Sequence, residues 1–198
     1  MDLKETSYWL SQLFPPVMGI YKAGTFHIAQ FDLDGEYACA TADFSQVEFG
    51  METEGPDGRK VDVRPEIMTL GYPEFNLVQL LNDTATLLTL SHGALLPQPG
   101  TVIRGITAEY NACNGILIAP YVWEQGVPQM YEEPGKVGSD RPTDQTRGRL
   151  TLLVQLLLLT DEELEFGLTN GMPALQEELE RRGVDLLDLN RETYERIG

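Results

Sequence analysis

The sequence predicts an α+β fold, a mixed, largely antiparallel sheet packed by N-terminal, middle and C-terminal helices in one domain spanning residues 1–198. Three observations carry this expectation. The run LTLLVQLLLL at 150–159 is apolar at almost every position and is half the length, about 20 residues, that a bilayer requires. It fits a strand covered on both faces, where apolar–polar alternation disappears. The first 70 residues divide into short strand-like runs punctuated by turn residues, and 73–90 and 160–183 carry apolar side chains at helical spacing.

Taken in order, 2–14 reads as a short helix with Leu3, Tyr8, Trp9, Leu10, Leu13 and Phe14 on its apolar face. Pro15-Pro16 end it, because proline lacks a donor and restricts the residue before it. Residues 25–33 and 36–44 flank Asp34-Gly35, a hairpin signal, and 47–54 and 60–70 flank Gly55-Pro56-Asp57-Gly58. The expectation is a four-stranded antiparallel meander. Pro73 opens a helix that runs to Leu90 through Phe75, Leu77, Leu80, Leu81, Thr84 and Leu88; 95–100 is a loop, and 101–106 and 115–122 are strands.

Residues 125–149 differ in kind, with Pro128, Pro134, Gly135, Gly138, Pro142 and Gly148 and few aliphatic side chains, and read as a long loop. The strand at 150–159 follows, with Gln155 expected to hydrogen-bond inside the core. Thr160 and Glu163 form a capping box at a helix start, and Asp161 to Glu163 suit the positive end of the helix dipole. Asn170-Gly171 stops that helix. Pro173 opens another, with Leu175 and Leu179 on one face and Arg181-Arg182 before Gly183.

Fourteen basic against 31 acidic residues give a formal net charge of −17. Such a surface repels phosphate backbones, which disfavours nucleic-acid binding, and speeds encounter with a basic protein; solubility alone is the other use of the charge. No secretory leader opens the chain and no segment reaches membrane-spanning length, so the expectation is a cytoplasmic protein. Cys39 and Cys113 are expected as unpaired buried thiols. With only His27 and His92 as imidazoles and no CxxC, no metal site is expected.

No Walker loop, G-x-G-x-x-G or G-x-S-x-G elbow appears, so neither a cofactor nor a catalytic residue is expected. In a chain with 31 acids, pairs such as Glu132-Glu133 arise by chance. The rival enzymatic reading is a small hydrolase using His92, in Ser91-His92-Gly93, with a nearby carboxylate or Cys113. Against it stands a loop-anchoring role for His92. The candidate partner-binding residues are Tyr121, Trp123, Glu124, Tyr131, Glu132 and Glu133: aromatic side chains can anchor a partner while carboxylates pair its Arg and Lys. Ordinary loop packing is their alternative use.

The stretch from 150 to 191 resembles the end of bacterial suppressor-of-fused-like domains: a buried strand, a helix start at Thr160–Glu163, a glycine pause, then Gly183, Val184, Asp185, Leu187, Asp188 and Arg191. The helix from Pro73 and the following SHGALLPQPGTVI, 91–103, are similar to the same family, and together the two stretches cover about half the chain. The resemblance implies a non-enzymatic domain that sequesters a polypeptide. Eukaryotic relatives hold a transcription factor. The bacterial ones look like immunity proteins, which implies a basic toxin domain as partner.

Overall fold

The computed structural model describes residues 1–14, 16–123, 126–133 and 147–192. Helix α1 (Leu3–Leu13) is followed by strands β1 (Val17–Ala23), β2 (Phe26–Asp32) and β3 (Tyr37–Thr41) and a 3₁₀ turn at Phe44–Gln46. Then come β4 (Glu52–Glu54), β5 (Lys60–Gly71), α2 (Leu77–Leu90), β6 (Val102–Ile103), β7 (Asn114–Ile118) and β8 (Gln129–Glu132). Strand β9 (Gly148–Leu159) and helices α3 (Asp161–Asn170) and α4 (Met172–Arg182) complete the described elements.

The strands form one mixed sheet in the order β1-β2-β3-β5-β9-β7-β6, with β4 also on β5 and β8 also on β9. The two 12-residue strands β5 and β9 lie side by side in parallel, from Val61 opposite Gly148 to Met68 opposite Gln155. Every other pairing is antiparallel.

The apolar run at 150–159 is the middle of the core, as its composition requires. Leu153, Val154, Leu156, Leu158 and Leu159 are each at most 2% exposed. Side chains alternate across the sheet. Val154, Leu156 and Leu158 pack with Phe26, Ile28, Ile67 and Leu117 beneath Leu80, Leu81 and Leu88 of α2. On the opposite face Leu153 joins Trp9 and Leu10 of α1 with Phe31 and Met68, and Leu159 joins Ile116 and Leu164, Leu175 and Leu179 of α3 and α4. At roughly 2 kcal/mol for burying each such side chain, this strand anchors all four helices. Gln155 departs from expectation: it is buried, and its Oε1 finds no hydrogen-bond partner among the described residues.

The sequence-based boundaries need correcting at several places. Residues 17–23 form a strand that no hairpin signal announced, since an edge strand buries too little for a clear period. Of 47–54 only Glu52–Glu54 is strand, because β3 takes the place beside the inner half of β5, and β4 pairs only Lys60 to Asp62. The expected meander is therefore broken. Helix α2 starts at Leu77, not Pro73, because the Asn76 side chain accepts the Gln79 N–H at 3.2 Å and caps it there.

The strands anticipated at 101–106 and 115–122 shorten to β6, which pairs with β7 only at Val102 and Ile103, and β7, which leaves β9 after Ile118 opposite Gln155 because β8 takes the same edge of β9 from Leu152. Within the anticipated loop 125–149, β8 pairs antiparallel with Arg149 to Leu152 and β9 begins at Gly148. Residues 125 and 134–146 of that loop lie outside the described residues.

The C-terminal punctuation is as read. Glu163 N–H donates to Thr160 Oγ1 at 3.3 Å and Thr160 N–H donates to Glu163 Oε2 at 2.9 Å. The same carboxylate receives Arg191 Nε and Nη2 at 2.9 and 2.6 Å, and Nη2 also donates to the Leu158 carbonyl at 2.7 Å. Gly183, left-handed at φ 63°, ends α4, so the tail can fold back and deliver Arg191 to that carboxylate.

Candidate partner-binding site

The anticipated site residues lie where β7 leaves the sheet and β8 returns along β9. Pro120 follows the end of β7, and the Gly126 N–H donates to the Trp123 carbonyl at 3.2 Å. The chain then rejoins the sheet when Leu153 N–H donates to the Pro128 carbonyl at 3.1 Å. A short strand pairing by one side only thus carries this segment over the lower half of β9.

The six side chains divide sharply. Trp123 turns inward and meets Phe14 edge to face, with centroids 5.2 Å apart, while Phe14 stacks on Phe31 at 4.5 Å. Tyr131 lies over Gly148 so closely that a Cβ there would come within 2.9 Å of its hydroxyl. Glu132 binds the Met1 ammonium at 2.6 and 2.7 Å and stands 3.4 Å from Arg149 Nε. Arg149 Nη2 in turn donates to the Ser45 carbonyl and Oγ, each at 3.0 Å. Tyr121, at 57% exposure, and Glu133 face solvent. Glu124 lies outside the described residues.

The half-buried groups therefore build the platform, and the outward surface is more apolar than the sequence suggested. Val122, Val127 and Met130 are exposed on the same segment as Tyr121. Their signal was the alternation of Met130 with Tyr131 after Pro128, which composition alone had marked as loop.

Other titratable groups sit elsewhere. Glu66 is fully buried on β5; its carboxylate accepts Thr41 Oγ1–H at 2.5 Å and the Phe44 and Ser45 N–H groups at 3.1 Å each. Burial pushes it up to about 7, against the pull of the hydrogen bonds from Thr41 and Ser45. His27 Nδ1 lies 2.6 Å from Asp43 Oδ2, tying β2 to the loop after β3.

His92 is exposed at the C-terminal end of α2 with φ 49°, and its N–H donates to the Thr89 carbonyl at 3.3 Å. Cys113 immediately precedes β7, and its sulfur lies 3.4 Å from Asn114 Nδ2 and 3.7 Å from Oδ1 of Asp161, the first residue of α3. Partial burial and then the Asp161 charge raise that thiol above its ordinary range. Among the described residues no hydrogen bond joins His92 to Cys113. Cys39 and Cys113 are both unpaired thiols. The described residues contain no group of three His, Cys, Asp or Glu side chains placed to hold a metal ion.

No helix among the described residues is long and apolar enough to cross a membrane.

No family model matches the sequence, and no curated protein matches it. Among solved structures the chain is similar to a chain of the Sufu–Fu complex crystal structure, at 13% identity and a TM-score of 0.57, covering 96% of this chain and 91% of that one. At this identity the likeness is one of fold, and the fold is Sufu-like.

Proposed function

We propose that this chain is a protein-binding domain that holds a polypeptide partner and performs no chemistry of its own. The observation that carries the reading is the fold, matched over nearly its whole length by a chain crystallised in a complex between two proteins. The exposed Tyr121, Val122, Val127 and Met130 supply apolar anchors, and Glu133 adds an exposed carboxylate on the same segment. In the finer reading the chain is a suppressor-of-fused-like immunity protein of the bacterial type. It neutralises a basic toxin domain: the net charge of −17 steers the encounter, and docking covers the toxin's working surface.

Affinity capture from the native cell extract, at low and high salt, tests this. A basic polypeptide retained at low salt, released by salt and lost on Tyr121→Ser with Met130→Ser supports the proposal. Capture of nothing, or of a partner indifferent to salt, counts against steering. Neutralisation of the captured protein's toxicity by this chain decides the immunity role.

A further inference from the structure

Among the described residues the sheet ends at β1, seven residues long, whereas β4, β6 and β8 have three, two and four. The direction of its free backbone groups follows from β2. His27 N–H donates to Asp43 Oδ1 at 2.9 Å and its carbonyl accepts Ala42 N–H at 2.8 Å, so both groups point away from β1. Lys22 is the partner of His27 in the ladder. This is a non-hydrogen-bonded pair, so the Lys22 N–H and C=O point off the edge, and by the two-residue period so do those of Ile20.

Beside this edge Leu3, Lys4 and Ser7 of α1 and Ile20 of β1 line an open groove of about 520 Å³. Met18 and Ile20 are 49% and 45% exposed. Lys22 follows Ile20 on the same face of the strand, and Tyr8 follows Lys4 by one turn of α1, exposed.

Lys4 and Lys22 stand apart from the other cations of the described residues. Every other Lys or Arg among the described residues is held in an ion pair. Lys4 and Lys22 have none with a described residue. The groove lining also holds the Asp2 carboxylate, which accepts the Glu5 N–H at 2.9 Å as the cap of α1 and keeps its charge, so the excess of positive charge at the edge comes from Lys22.

We propose that the β1 edge is a strand-addition site for an extended acidic segment of a partner protein. Its backbone pairs with Ile20 and Lys22, an apolar side chain enters the groove at Ile20, and its carboxylates meet Lys4 and Lys22. A basic segment would face two ammonium groups that no ion pair with a described residue holds. A second copy would bring another −17 chain alongside. The site does not rest on the Tyr121 surface.

The test uses a fluorescein-labelled, N-acetylated heptapeptide alternating glutamate and valine, with a lysine–valine counterpart as control, read by anisotropy and by amide hydrogen exchange. The acidic peptide binds the more tightly, and with it bound the Ile20 and Lys22 amides exchange about tenfold more slowly, as amides that gain a partner do. Lys4→Glu with Lys22→Glu weakens binding about tenfold, two exposed ion pairs having become repulsions. Tyr121→Ser with Met130→Ser leaves it unchanged. Ile20→Pro removes an outward N–H that β2 does not use and abolishes binding; if that variant fails to fold, exchange on the unaltered chain decides. Equal or tighter binding of the lysine peptide, or exchange unaltered by the acidic one, overturns the proposal. Protection of these amides by a concentration-dependent dimer overturns it in favour of a second copy.

Discussion

Glu66 offers a sharp test of how this sheet is held together. Its carboxyl is fully buried, and burial raises its pKa from 4.5 to about 7. Between those two values the folded chain binds more protons than the unfolded one, so stability from this group is fully present at low pH and is lost as pH rises toward the folded value. The interval is worth about 3 kcal/mol at roughly 1.4 kcal/mol per pKa unit. Glu66→Gln removes the proton but presents an amide NH₂ to one of the three donors from Thr41, Phe44 and Ser45. A buried donor left without an acceptor costs about 1–3 kcal/mol. The variant is therefore less stable than the parent at about pH 5, and the gap closes or reverses by about pH 8, because the parent alone bears the cost of an ionised buried carboxylate. Urea unfolding of both proteins, followed by the fluorescence of Trp9 and Trp123, gives the difference at each pH and cancels the titration of the other carboxylates. A difference that stays constant across this range would refute the reasoning.

Arg191→Ala leaves the Glu163 carboxylate buried without its cation and should cost about 3–5 kcal/mol in thermal unfolding, while Glu163→Leu with Arg191→Met should cost much less. A single variant no worse than the double would show that the pair is not coupled. Gln155→Met replaces an unpartnered buried Oε1 with an apolar side chain and should stabilise by about 1 kcal/mol in urea; destabilisation would mean that the amide has a use in the fold. Thiol labelling at mildly alkaline pH should modify Cys113 slowly and Cys39 only on unfolding, since burial pushes Cys39 up to about 12. Rapid labelling of Cys39 in the folded chain would contradict its burial.

What could be read before folding was local. The Thr160–Glu163 box, Asp34 and Gly35 at φ 64° and 108°, and the interior placement of 150–159 all depend on residues within a few positions of one another. The candidate site was legible only in part. Tyr121 and Glu133 face out, but Trp123 goes to Phe14, Tyr131 to Gly148 and Glu132 to the Met1 ammonium. Those partners are distant in sequence, so an aromatic or acidic side chain beside a glycine-rich loop looks the same whether it anchors a partner or its own sheet.

By itself the chain determined its class, its caps, its most buried strand and its charge, because each follows from residue type and short-range spacing. Only the assembled sheet placed β5 parallel to β9 and, among the described residues, turned 17–23 into an open edge and left Lys4 and Lys22 out of any ion pair. Strand pairing joins segments up to 87 positions apart, as in the Thr69 hydroxyl donating to the Leu156 carbonyl. Which segments meet depends on the combined burial of both faces of the sheet, and no single stretch of sequence contains that sum.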